Sequence, residues 1–144
     1  MKSITIIQPW ATLIALREKR FETRSWATKH RGELAIHAGK KIDKDACEVP
    51  EIKAALARHG YTANILPTGA VVATATMVFP HEVEEDKDCI AVLSNDEIVQ
   101  GDEIWFGDFS KGRFAWELAN VQRLPDPILA KGQQGLWNWE GVQP

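Results

Sequence analysis

Residues 8–26 constrain this chain most, because an apolar helical segment there runs directly into a segment dense in charge and aromatic rings. Pro9 suits the first position of a helix, and an apolar face at helical spacing continues to about Arg20. That face consists of Leu13, Ile14, Ala15 and Leu16. A strand is predicted just before it by Ile4, Ile6 and Ile7. The sequence therefore predicts a strand, a helix and then a change of period.

Residues 21–26 are expected to form a second strand, in which successive side chains point to opposite faces. Glu22, Arg24 and Trp26 would then share one face. Lys19 comes just before the strand, and its long side chain can reach the same place. A carboxylate, a guanidinium, an ammonium and an indole exceed what a structural turn requires, so this face is the predicted functional site.

The spacing Lys19-x-x-Glu22-x-Arg24 resembles the signature of the ASCH domain family, which reads Gly-x-Lys-x-x-Glu-x-Arg. Further blocks similar to that family are Gln8-Pro9-Trp10-Ala11, residues 31–38, Gly107-Asp108-Phe109-Ser110 and residues 132–137. One position departs from the pattern, since Arg17 stands where the family has glycine. The resemblance implies an α+β fold, a PUA-like mixed β-barrel with flanking helices, formed as one domain by residues 1–144. It also implies binding of RNA or a nucleotide-like ligand.

A binding module is the first functional hypothesis. Arg24 offers a planar fork for a phosphate or a base edge, and Lys19 offers a point charge for a phosphate. Trp10 or Trp26 would stack on an unpaired base. Glu22 would orient Arg24 or accept a hydrogen bond from an amino group of the base. The plainer alternative is a surface ion pair between Glu22 and Arg24, with both tryptophans in the core.

A small metal-independent hydrolase is the second hypothesis. The resemblance extends to amidohydrolases that remove an acyl group from a modified cytidine and to ribonucleases for single-stranded RNA. In the amidohydrolases a threonine three residues after the signature lysine is the nucleophile, and here that position is Glu22. Glu22 would act as a base and Lys19 would stabilise an oxyanion. Thr23 is adjacent, but strand alternation predicts that it points to the opposite face.

Three further residues are candidate ligand contacts. Gln8 has both a donor and an acceptor in its amide, His37 is a candidate proton carrier, and Ser110 lies in a block similar to the ASCH family. Each has a structural alternative, since a strand histidine usually has internal partners and a serine beside glycine usually forms a turn. Trp137 and Trp139 are expected either to stack on a base or to pack in the core.

Charge is unevenly distributed along the chain. The net charge of −3 over 144 residues argues against a simple basic clamp for nucleic acid. Residues 17–41 carry eight Lys or Arg against three Glu, a local net charge of +5. Residues 81–103 carry nine Asp or Glu against one Lys, a local net charge of −8. We expect one face that attracts an anion and another that repels nucleic acid, or less specifically an acidic surface for a protein partner.

Cysteine and histidine spacing favours an intracellular protein without a cofactor. Cys47 and Cys89 form no C-x-x-C pair, so the reducing cytoplasm is the expected compartment. The four histidines lie far apart, and no metal site is predicted. The apolar segment at residues 4–16 is too short to span a membrane. The expected partner is RNA or a modified nucleoside, and the sequence points to no particular protein partner.

The remaining pattern predicts alternating strands with a helical insertion. Strands are expected at residues 33–38, 70–79 and 114–118, with Pro80 ending the second. Residues 43–60 are expected to be helical, with Pro50 starting or kinking the main helix and Gly60 ending it. The acidic residues 82–102 are expected to form surface loops and one short helix.

Overall fold

Eight strands and three short helices follow one another in the computed structural model, which describes residues 1–141. The strands are β1 (Lys2–Gln8), β2 (Phe21–Arg24), β3 (Gly32–Ile42), β4 (Ala70–Lys87), β5 (Ile90–Leu93), β6 (Ile98–Val99), β7 (Phe114–Leu129) and β8 (Leu136–Asn138). The helices are α1 (Trp10–Ala15), α2 (Lys44–Cys47) and α3 (Pro50–Ala57), and 3₁₀ turns span Ala63–Ile65 and Gly101–Phe106.

One mixed sheet organises these elements. Its strand order is β2-β7-β4-β3-β1-β8, and β5 and β6 extend it beside the far end of β4. β1 pairs with β3 in parallel, and the other pairs are antiparallel. The predicted α+β class is confirmed. The pairings described for residues 1–141 leave the sheet open, with β2 at one end of the path and β8 at the other.

Apolar side chains from α1 and from the strands β1, β3, β4 and β7 form the main core. Its largest members are Ile4, Ile14, Leu34, Ile36, Met77 and Trp116. A second cluster joins α3 to the 3₁₀ turn at residues 101–106, where Phe106 is 1% exposed. A third contains Phe21 and Phe109, whose rings meet edge to face at 6.2 Å between centroids. The second and third clusters therefore hold Phe106 and Phe109, which flank the loop residues 107–108 that contact β2.

The corner after α1 comes earlier than predicted. The helix ends at Ala15 rather than near Arg20, because Arg17 adopts a left-handed φ of 63°. The backbone N–H groups of Glu18 and Lys19 then both donate to Leu13 O, at 3.0 and 3.1 Å. This tight corner turns Lys19 towards the protein interior.

Two predictions for the middle of the chain have different outcomes. Pro50 does start α3, and Gly60 follows its end with a φ of +81°, as the helical pattern predicted. Pro80 does not end β4, which continues to Lys87. The last β4 residue paired with β3 is Met77, so one side of β4 is already open at Pro80 and tolerates a missing N–H.

The loops predicted for the acidic segment are wrong, because residues 82–99 contain the end of β4 together with β5 and β6. Val83, Leu93 and Val99 are buried in the third cluster. Many of the acidic side chains in this segment are exposed, so it folds as a half-buried antiparallel sheet. The high charge of this segment made its buried apolar face difficult to recognise from the sequence.

Candidate functional site

A cavity of about 560 Å³ lies where β1, α1 and β2 meet residues 105–108. We call it the Lys19 cleft. Its walls are formed by Thr5, Ile6, Ile7, Trp10, Lys19, Glu22, Thr23, Arg24, Trp105, Phe106, Gly107, Asp108 and Arg113. The volume falls in the range of small-molecule sites, about 300–1,000 Å³. Four of the eight predicted site residues, Trp10, Lys19, Glu22 and Arg24, line the cleft together.

Lys19 is the most unusual residue of the cleft, because its side chain is only 2% exposed. Its Nζ donates a hydrogen bond to the carbonyl of Phe106. Burial lowers the pKa of Lys19, while the nearby carboxylates of Glu22 and Glu103 oppose this by favouring the ammonium. At a given pH, a larger fraction of Lys19 than of a surface lysine is therefore in the neutral amine form.

Glu22 and Arg24 share a face of β2, as strand alternation predicts, and form an ion pair with 2.9 Å between Arg24 Nε and Glu22 Oε2. Arg24 Nη2 also donates to the carbonyl of Thr5 at 2.9 Å. The guanidinium is thus held from two sides, and its side chain remains 25% exposed. Its remaining N–H donors are available to a bound molecule.

The comparison with protein families gives a decisive match. A family model described as the ASCH domain matches residues 4–128. The chain belongs to the ASCH domain family. No match is found among curated proteins. The family is generally associated with RNA binding, and membership implies a PUA-like fold.

Thr23 of this ASCH domain also lines the cleft, although strand alternation predicts that its side chain points away from Glu22 and Arg24. Residues 107–108 fold over β2, and the N–H of Asp108 donates to Thr23 Oγ1 at 3.1 Å. A Cβ added to Gly107 would lie 3.0 Å from Thr23 Oγ1 and 3.2 Å from Lys19 Nζ. The threonine hydroxyl and the lysine amine therefore both border Gly107.

Two tryptophans line the cleft of this ASCH domain. Trp10, at the start of α1, is partly buried, whereas Trp105 in the 3₁₀ turn is 49% exposed. Trp105, Asp108 and Arg113 were not among the predicted site residues. The similarity of residues 107–110 to an ASCH block was the signal that pointed to this loop.

Gln8 and Trp26 lie outside the Lys19 cleft. Gln8 is 0% exposed, and its amide donates to Thr12 Oγ1 and Pro67 O at 2.7 and 2.8 Å and accepts from the N–H of Thr12. Trp26 follows the end of β2 and packs edge to face on Trp116, with ring centroids 4.8 Å apart. Both side chains stabilise the scaffold of the ASCH domain.

His37 and Ser110 also lie outside the cleft walls. His37 is 2% exposed, with Nε2 at 2.7 Å from Ala130 O and Nδ1 at 3.1 Å from Thr5 Oγ1. Ser110 is exposed, and its hydroxyl donates to the carboxylate of Asp108, which lowers the pKa of Asp108. Ser110 thus favours the charged form of Asp108, which lines the cleft, without lining the cleft itself.

The late tryptophans were predicted either to stack or to pack. Trp137 is 6% exposed, its ring meets that of His37 edge to face, and its Nε1 donates to Thr5 Oγ1 at 3.1 Å. It therefore belongs to the packing behind β1. Trp139 is partly buried.

The oppositely charged segments of the ASCH domain are in contact at Arg20. Arg20 Nη1 lies 2.9 Å from Glu97 Oε2, and the N–H of Arg20 donates to Glu103 Oε1 at 2.8 Å. Burial raises the pKa of Glu103, although Lys19 and the backbone N–H groups of Arg20 and Phe21 oppose the rise. The acidic segment thus partly neutralises the basic one.

Residues 1–141 contain neither a metal-binding cluster nor a membrane-spanning helix. No group of three or more His, Cys, Asp or Glu side chains is arranged to hold a metal ion there. No helix of that part of the ASCH domain is long and apolar enough to cross a membrane.

Proposed function

We propose that this ASCH domain binds an unpaired nucleotide of RNA, or a modified nucleotide, in the Lys19 cleft. The observation that carries the proposal is the guanidinium of Arg24, which is anchored to Glu22 and to Thr5 O yet partly exposed in a cavity of about 560 Å³. A fixed planar fork suits bidentate recognition of a phosphate or a base edge.

The aromatic and charged walls supply the other contacts. Trp105 is the more exposed of the two tryptophans and is the proposed stacking surface, with Trp10 beside it. Glu22 keeps Arg24 in one orientation, and its second oxygen can accept from a base amino group. Lys19 adds local positive charge when protonated.

The test is a titration of a fluorescein-labelled pool of random single-stranded RNA hexanucleotides. Arg24→Lys retains the charge but loses the planar fork, so we expect affinity to fall about tenfold, as for loss of one charge-assisted hydrogen bond. Arg31→Gln is the control, because Arg31 is exposed and is also anchored on backbone carbonyls, those of Thr28 and His30. Equal affinities of Arg24→Lys and the wild type would contradict the role of Arg24.

A hydrolase is the second candidate function, and it is favoured because Lys19 Nζ and Thr23 Oγ1 both border Gly107 in the cleft. The lowered pKa of Lys19 makes its neutral amine more accessible as a base, which can accept a proton from the Thr23 hydroxyl or from water. The hydroxyl would attack the acyl carbonyl of an acylated cytidine, the C–N bond would break as the protonated Lys19 returns the proton to the departing amine, and water would then hydrolyse the acyl-threonine ester. In RNA cleavage the nucleophile would be the 2′-hydroxyl. Glu22 is the alternative base.

The hydrolase is tested with N4-acetylcytidine and, separately, single-stranded RNA, in the presence of chelator and with mass analysis of the products. Thr23→Val should abolish deacylation and Thr23→Ser should retain it if Thr23 is the nucleophile. Glu22→Gln tests the other base. Intact substrates after prolonged incubation with the wild type would leave binding as the proposed activity.

The family and the free thiols support three broader proposals. We propose that the domain completes a PUA-like barrel and that residues 1–144 act as one unit. Cys47 is buried and Cys89 is exposed, and both are free thiols. A reducing compartment suits such thiols, so the cytoplasm is the proposed location.

A further inference from the structure

A second cavity, of about 390 Å³, adjoins the Lys19 cleft, since Lys19 lines both. Its other walls are Arg17, Arg20 and residues 118–122 of β7. We call it the Arg17 groove. Two amides, Asn120 and Gln122, stand on its β7 side. The groove therefore combines cations with groups that hydrogen-bond to sugars and phosphates.

Arg17 is fixed in this groove by both its backbone and its side chain. Its φ of 63° is a conformation that glycine adopts far more readily, yet an arginine occupies the position. Its Nε and Nη2 donate to the carbonyl of Val121 at 3.1 and 2.9 Å. These bonds leave Nη1 and its two protons for another acceptor.

The charge of Arg17 is not offset by a contacting carboxylate, because no salt bridge found within residues 1–141 includes it. Arg20 differs, since Glu97 lies 2.9 Å from its guanidinium. Arg17 is also exposed despite its hydrogen bonds. It is a fixed, unneutralised cation next to the proposed nucleotide site.

We propose that the Arg17 groove binds the phosphate of the nucleotide adjoining the one in the Lys19 cleft. The ligand is then an RNA strand of at least two nucleotides, and a free nucleoside fills only part of the site. This inference rests on the proposed function. Arg17 supplies the charge, and Asn120 and Gln122 face the ribose.

The experiment compares two probes on the wild type and on Arg17→Gln. The probes are the labelled RNA hexanucleotide pool and an equimolar mixture of the four nucleoside 5′-monophosphates. Binding of the monophosphates is measured by NMR titration. We expect Arg17→Gln to bind the hexanucleotides about fivefold more weakly and to reduce the slope of log affinity against log salt by about 0.7, the value for one phosphate of a single strand. Monophosphate affinity should stay unchanged, and Arg31→Gln should bind both probes as the wild type does.

A second variant protects the test against misfolding, because Arg17 also anchors β7. Gln122→Glu places a negative charge in the groove without touching Arg17, and it should weaken hexanucleotide binding selectively. Unchanged hexanucleotide affinity in both variants would overturn the inference, as would equal weakening of both probes, while binding that still depends on Arg24 would uphold the proposed function. If neither probe binds the wild type, both proposals fail.

Discussion

Gly132→Ala is a direct test of the packing behind the Lys19 cleft. A Cβ at this position would lie 2.7 Å from His37 Cε1 and 2.7 Å from Thr5 Oγ1, closer than real Cβ contacts allow. The φ of Gly132 lies outside the left-handed region, so alanine is excluded by contact rather than by backbone strain. The added methyl group must displace groups that are already hydrogen-bonded.

The magnitude follows from two effects. Overpacking a well-packed interior costs about 1–3 kcal/mol, and loss of the hydrogen bond between Thr5 and His37 adds about 1 kcal/mol. His37 cannot yield easily, because it is 2% exposed and lies 2.7 Å from Ala130 O. We therefore expect Gly132→Ala to lower the free energy of unfolding by about 2–4 kcal/mol.

The assay is urea unfolding followed by tryptophan fluorescence, analysed as a double-mutant cycle with His37→Ala. Removal of the imidazole relieves the contact with His37 but not the one with Thr5 Oγ1, so Gly132→Ala should cost about 1–2 kcal/mol less in that background. Gly39→Ala is the matched control, since its nearest contact is 3.2 Å to a methyl group of Thr5. Additive effects of Gly132→Ala and His37→Ala would refute the reasoning.

Two further predictions concern stability. Because burial raises the folded-state pKa of Glu103 above its ordinary 4.5, the folded protein binds more protons between these two values, and stability is lost as the pH rises through the folded pKa. Glu103→Gln should remove this loss, so that the variant gains stability relative to the wild type with rising pH, as measured by urea unfolding at successive pH values; a constant difference would contradict the assignment. Trp116→Phe should cost about 2 kcal/mol, because Trp116 is 0% exposed and donates to Trp26 O at 3.1 Å. A loss below about 0.5 kcal/mol in thermal and urea unfolding would show that neither the burial of the indole nor its hydrogen bond to Trp26 O contributes measurably to stability.

Local rules predicted the elements that depend on neighbouring residues. Period-two alternation correctly put Glu22 and Arg24 on one face of β2, because that rule needs only strand geometry. Pro50 and Gly60 marked the limits of α3 for equally local reasons. Strand alternation did not predict the contact of Thr23 with the cleft, because that contact comes from a loop 85 residues further along the chain.

The functional assignment of polar residues required distant information. His37 and Gln8 have the donors and acceptors of ligand-binding residues, but their partners Ala130 and Pro67 lie 93 and 59 residues away in sequence. The local pattern does not indicate these distant carbonyl partners, although Gln8 also accepts from the nearby N–H of Thr12. Trp26 was predicted either to stack on a base or to pack in the core, and its packing partner Trp116 comes from β7.

The two charged residues of the cleft are oriented by backbone atoms. Lys19 donates to the carbonyl of Phe106, and Arg24 donates to the carbonyl of Thr5. A carbonyl oxygen persists whatever side chain its residue bears. Positions 5 and 106 can therefore change identity without losing these acceptors, provided that the chain keeps its course. In this cleft, the path of the main chain therefore orients the two charged side chains independently of the side chains at positions 5 and 106.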